Sequence, residues 1–159
     1  MKVFKASLDL LSKFVTSLVA IIAIVMVFNY FMEDRFIFIF TGGFLFLLLL
    51  ILFLFMPQNY LISDEELIIN RIIGNFKVDK KNILKVIHPD RSYLAFVIRV
   101  FGNGGLFGYT GYFWNKSFGK MHWFVTQRKN YVVIDMGAKR KIVLSPDDYE
   151  GLIDALQNR

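Results

Sequence analysis

The chain has 159 residues, 55% of them hydrophobic and 20% charged, with a formal charge of +6 and a mean hydropathy of +0.47. That hydropathy is high for a soluble domain of this length and points to membrane segments. Cysteine is absent, which excludes a disulfide framework and a thiolate zinc site.

Two apolar stretches, residues 8–32 and 36–56, fill the first third. The second holds no charged residue and is long enough to cross a bilayer, which takes about 20 apolar residues. The link Glu33-Asp34-Arg35 is so short that the two helices must run antiparallel, with both chain ends on one side. Lys2, Lys5 and Lys13 mark the start of the first helix. Arg71, Lys77, Lys80 and Lys81 follow the second, and the link offers only Arg35 beside two acids. The positive-inside rule therefore predicts cytoplasmic termini. No small-x-small site follows the first stretch, so it reads as an uncleaved helix rather than a signal peptide. Tyr30, Phe31 and Tyr60 suit interfacial aromatic positions. Gly42 and Gly43 either allow close helix contact or are merely tolerated in an apolar helix. Residues 1–56 thus form two transmembrane helices, and residues 57–159 a cytoplasmic domain of net charge +5 held at the lipid surface.

In that domain Pro57-Gln58-Asn59 reads as a linker, after which the period changes to two. Strands are predicted at 60–63 and 67–73, with Asp64-Glu65-Glu66 as the turn between them. Gly74-Asn75 is a hairpin signal, and 76–79 the returning strand. A short run at 83–87 is broken by His88-Pro89-Asp90. Residues 93–101 form the longest predicted strand. Leu94, Phe96, Ile98 and Val100 are its core face; Tyr93, Ala95, Val97 and Arg99 point the other way. A glycine-rich aromatic stretch at 102–114 precedes strands at 121–127, 131–136 and 141–144. Ser145 is the predicted helix cap, with Pro146 at the first helical position and Asp147 and Asp148 favouring the positive helix end. Tyr149, Leu152, Ile153 and Leu156 form one apolar stripe that must bury against the sheet. The fold class is α+β.

Gly104-Gly105-Leu106-Phe107-Gly108-Tyr109-Thr110-Gly111-Tyr112-Phe113 is followed by Phe124-Val125-Thr126, Tyr131-Val132-Val133-Ile134 and Ile142-Val143-Leu144-Ser145-Pro146-Asp147-Asp148. This series resembles bacterial PH-domain proteins, many of which carry membrane helices ahead of the domain. The resemblance implies a pleckstrin-homology-like barrel or bent antiparallel sheet, capped by a C-terminal helix. It implies no family-wide activity. Eukaryotic lipid-binding PH domains place basic residues in the first strand-to-strand loop. Asp64-Glu65-Glu66 stands there instead, which argues against phosphoinositide binding at that site.

The glycines of 102–111 lack the spacing of a phosphate loop and suit a bent hairpin instead. Leu106, Phe107 and Tyr109 are candidate protein-contact residues within it. His88 and His122 have no neighbours at metal-ligand spacing, and Asp147 and Asp148 are explained by the helix start, so no catalytic, metal or cofactor residue is assigned. Lys80, Lys81, Arg128, Lys129, Lys139, Arg140 and Lys141 are candidate lipid contacts in basic turns, each contributing about 1 kcal/mol toward an anionic surface. No nucleic-acid motif accompanies the positive charge. The leading reading is a non-enzymatic, membrane-anchored module that contacts membrane lipids and docks an unidentified protein partner or assists assembly, with room for homo-oligomerisation. The alternative is direct binding of anionic headgroups through the basic turns.

Overall fold

The computed structural model of the chain describes residues 1–33, 36–94, 96–137 and 140–157. Asp34, Arg35, Ala95, Ala138, Lys139, Asn158 and Arg159 lie outside the described residues. Two long apolar helices, α1 (Leu10–Glu33) and α2 (Phe36–Leu54), pack against one another. Both are long and apolar enough to cross a membrane, and only 11% of each apolar window is buried within the protein, unlike the core helix of a globular domain. Gly42 brings the helices together: a side chain there would meet Val27 Cγ2 at 2.8 Å and the Ala23 carbonyl at 3.1 Å. Gly43, one residue on, faces open space.

A strand not foreseen in the sequence precedes the helices. β1 (Lys2–Lys5) pairs antiparallel with β2 (Pro57–Ile62), Phe4 opposite Tyr60. The expected linker Pro57-Gln58-Asn59 is thus the first half of β2. Proline is admissible there because it opens the strand. β3 (Glu66–Arg71) and β4 (Phe76–Asp79) complete a four-stranded sheet of order β1-β2-β3-β4. Gly74, with φ +68°, serves the predicted β3–β4 turn.

The second sheet has six strands: β5 (Lys85–Ile87), β6 (Ile98–Gly105), β7 (Gly108–Asn115), β8 (Gly119–Val125), β9 (Val132–Asp135) and β10 (Lys141–Leu144). Its order is β5-β9-β10-β8-β7-β6. The pairing is antiparallel except between β10 and β8, because the β9–β10 hairpin folds back with β10 inserted beside β8. Among the described residues the two sheets do not close into a barrel; they face each other as a bent pair. Helix α3 (Tyr149–Gln157) ends the described chain.

The six-stranded sheet is buried on both faces at its centre. Phe124, Ile142 and Leu144 join Tyr60, Leu67, Ile69 and Leu152 in one core, between the first sheet and α3. Met121, Trp123, Val133 and Val143 join Leu94 and Tyr131 in a second core on the other face. This is why Tyr131-Val132-Val133-Ile134 is a continuous apolar run: consecutive side chains enter different cores.

Three further sequence expectations need correction. Tyr60 is not an interfacial aromatic but is fully buried in the main core. Residues 93–101 are not one strand. Arg91–Leu94 form a 3-10 turn, Phe96 takes φ +54°, and β6 begins only at Ile98. Of the expected core face only Leu94 is buried; Phe96 is 96% exposed, Ile98 60% and Val100 59%. A bulge between Arg99 and Phe101 breaks the alternation at Val100, and no residue of β6 belongs to the core that the first sheet covers. Nor does Ser145 cap α3. Its hydroxyl is fully buried and accepts from the Thr126 and Gln127 amides at 2.9 and 3.2 Å, joining the end of β8 to the end of β10. The helix starts three residues later, capped by Asp148, whose Oδ1 accepts from the Gly151 amide at 2.9 Å.

Candidate functional site

Side chains on one face of the six-stranded sheet follow from the pairing. Phe124 and His122 on β8 stand opposite Thr110 and Tyr112 on β7; Lys120 stands opposite Trp114. Tyr112 and Trp114 in turn stand opposite Phe101 and Ile98 on β6. The Phe124 end of this face is the main core. Toward β7 and β6 the same face emerges uncovered: Ile98 60% exposed, Phe101 75%, Tyr112 41% and Trp114 44%. β6 is also an edge strand. Between Asp90 and Asp135 the sequence has six Lys or Arg and no acid. The uncovered apolar face is therefore set in a wholly positive stretch.

A cavity of about 410 Å³ opens where the covered part of the face meets the uncovered part. Phe76, Tyr112 and His122 form its walls, Met136 and Ile142 extend the apolar lining, and Lys120, Arg140 and Lys141 supply charge. The His122 ring stacks on Tyr112, with centroids 4.6 Å apart and planes at 22°, and approaches Phe124 at 4.2 Å. The Lys120 ammonium lies 4.7 Å from the centre of the Tyr112 ring. Lys141 reaches Asp135 at 3.7 Å. Burial, helped by the positive charge of Arg71, lowers the His122 pKa to about 4, so the ring is neutral at pH 7. Arg71 itself lies between rings, 5.6 Å from the centres of Phe55 and Phe124.

The expected protein-contact residues sit elsewhere. Leu106 and Phe107 form the tip of the β6–β7 hairpin, which meets the two long helices. The Phe107 amide donates to Thr16 Oγ1 at 3.0 Å, and its ring lies 5.4 Å from that of Phe53. Tyr109 is buried in the second core, with the Arg128 guanidinium 5.8 Å from its ring centre. The hairpin's glycines do what the sequence predicted: Gly102 and Gly111 face one another at φ +121° and +124°, where a side chain on either would strike the opposite backbone.

The expected basic turns fall at three places. Arg128 and Lys129 adjoin the start of α1, Arg128 reaching Asp9 at 3.8 Å. Lys80 Nζ donates to the Ala155 carbonyl at 3.1 Å, near the end of α3, and Lys81 is its neighbour. Arg140 and Lys141 line the cavity; Lys139 lies outside the described residues. His88 is a packing residue, stacked on Tyr149 at 4.1 Å with Nδ1 2.8 Å from the Tyr131 carbonyl oxygen. Among the described residues no three His, Asp or Glu gather as metal ligands. Phe101, Tyr112, Trp114 and Lys120 were not singled out in the sequence, and His122 was considered there only as a metal or acid-base residue. The absence of acids from 91 to 134 was the available signal.

Comparison with curated proteins and with solved structures returns no match. The family model described as Bacterial PH domain matches residues 58–159. That span takes in strands β3 to β10, all but the first residue of β2, and the closing helix α3. With two facing sheets, a closing helix and the family model matching residues 58–159, more than half of the chain, the chain belongs to the bacterial PH domain family.

Proposed function

We propose that the chain is a membrane-anchored, non-catalytic module. Its PH domain docks a partner protein of the same membrane at the cytoplasmic face of a bacterial inner membrane. The observation that carries this reading is the uncovered sheet face of Ile98, Phe101, Tyr112 and Trp114, an apolar surface on a domain whose other strands bury theirs. The occupant we assign is an apolar segment flanked by acids, because the surrounding stretch has only positive charges. Support for the topology comes from the pairing of β1 with β2, which requires residues 2–5 and the PH domain to share one side of any membrane the helices cross. The lysines Lys2, Lys5 and Lys13 favour the cytoplasmic side.

The test is site-directed photocrosslinking of the full chain in its native membrane. p-Benzoylphenylalanine replaces Ile98 or Phe101, and Leu84 serves as an equally exposed apolar control. A protein adduct of one discrete mass is expected at 98 and 101 but not at 84. It should be lost in Tyr112→Glu and in Trp114→Glu, where an acid would repel the partner. An adduct of twice the chain's own mass, adducts to lipid alone, or adducts indifferent to both substitutions would refute this reading.

A further inference from the structure

The cavity beside His122 has a chemistry of its own. Lys120, Arg140 and Lys141 bring three cations to one opening, and the carboxylate that reaches them, Asp135, lies against Lys141 at 3.7 Å. Arg71 adds a fourth positive charge close enough to act on His122. Like charges gathered at one site repel, and an anion bound among them removes that repulsion while gaining charge-assisted hydrogen bonds. The interior is different: Phe76 and Tyr112 offer ring faces, and the His122 ring is uncharged at neutral pH. A volume of about 410 Å³ falls within the range of small-molecule sites, roughly 300–1,000 Å³.

We infer that this cavity binds an organic phosphate, with the phosphate held by Lys120 and Arg140 and an apolar or planar body lying against Phe76 and Tyr112. Asp64, Glu65 and Glu66 of the acidic first turn do not line the site, and it does not depend on the docking of a partner protein. A soluble phosphate ester and a phospholipid headgroup share this chemistry. The position of Phe76, just beyond a turn whose Ile73 amide donates to the α2 residue Leu54, allows either source.

The two histidines make the test direct. The full chain, with ring-labelled histidine, is placed in nanodiscs of neutral phosphatidylcholine and followed by NMR. His88 is packed on Tyr149 and serves as the internal control. Adenosine 5′-monophosphate is titrated in, with adenosine as the uncharged counterpart. In a separate arm phosphatidylglycerol replaces part of the disc lipid. The His122 resonances should shift and the His88 resonances should not. Bound phosphate should also raise the protonation midpoint of His122, because a nearby anion favours the charged ring. Among the groups around that ring, Arg71, Lys120, Arg140 and Lys141 oppose its protonation and Asp135 favours it. Lys120→Ala with Arg140→Ala should weaken the response about tenfold or more. A shift with the monophosphate in neutral discs identifies a soluble ligand, and one only with phosphatidylglycerol identifies a lipid. No shift in either arm, an equal shift with adenosine, or a response unchanged in the double variant would overturn the inference.

Discussion

Tyr60→Phe isolates the polar joint between the two sheets. Tyr60 is fully buried on β2; its hydroxyl donates to the Phe124 carbonyl at 2.7 Å and accepts from the Ser145 amide at 3.2 Å. Burial raises its pKa to about 12, so the phenol is protonated at any working pH. Phenylalanine keeps the ring, so the substitution opens no large cavity and the loss is confined to polar groups. Leaving a buried donor or acceptor unsatisfied costs about 1–3 kcal/mol, and two groups are affected here, so a destabilisation of about 2–4 kcal/mol is expected. Trp114 and Trp123 are the only tryptophans and both lie in the PH domain. Urea unfolding of the full chain in micelles, followed by tryptophan fluorescence, therefore reports this domain and not the long helices. With a slope of about 1–1.5 kcal/mol per molar, the midpoint should fall by about 2 M. A change under about 0.5 kcal/mol would mean that these two hydrogen bonds do not hold the sheets together.

The same assay tests the helix stripe. Leu152 and Leu156 are 0% and 5% exposed, and Leu152→Ala or Leu156→Ala should each cost about 2–5 kcal/mol; unchanged unfolding in both would contradict the docking of α3. Gly111→Ala would press a Cβ against the Phe101 carbonyl and Gly102 Cα at a φ of +124°. Amide exchange at Gly102 and Thr110 should accelerate by about tenfold or more, while exchange in β2 and β3 stays as it was. Stability should also depend on pH through His122. Its folded pKa, about 4, lies below the ordinary histidine value of 6.5, so between those values the unfolded chain binds more protons. The contribution is complete above pH 6.5 and is lost as pH falls toward 4. It is at most about 3 kcal/mol, and on the order of 1–2 once solvent screening of a partly exposed ring is allowed for. His122→Gln should flatten that part of the unfolding profile, and an unaltered slope would assign it to other groups.

The sequence alone determined whatever depends on local chemistry or on composition. The two apolar helices, the β3–β4 turn at Gly74-Asn75, strands β4 and β10, the family resemblance and the buried stripe of α3 were legible because each rests on a run of neighbouring residues. Tertiary structure decided what depends on which layer covers which. Period-two alternation in 93–101 was misleading: a 3-10 turn, the positive φ of Phe96 and the bulge at Val100 break it, and no local pattern records that β6 contributes no residue to the core covered by the first sheet, so an expected core face lies exposed. β1 lies directly ahead of the first apolar stretch, where its lysines read as the flank of a membrane helix, and it becomes a strand because β2 offers an edge to pair with. Ser145 has the chemistry of a helix cap, yet its hydroxyl is taken by the amides at the end of β8, which lie close to it only in the folded chain. The cavity at His122 draws on β4, β7, β8 and β10, residues from 76 to 142, and arises because chain reversals bring those strands within reach of one another.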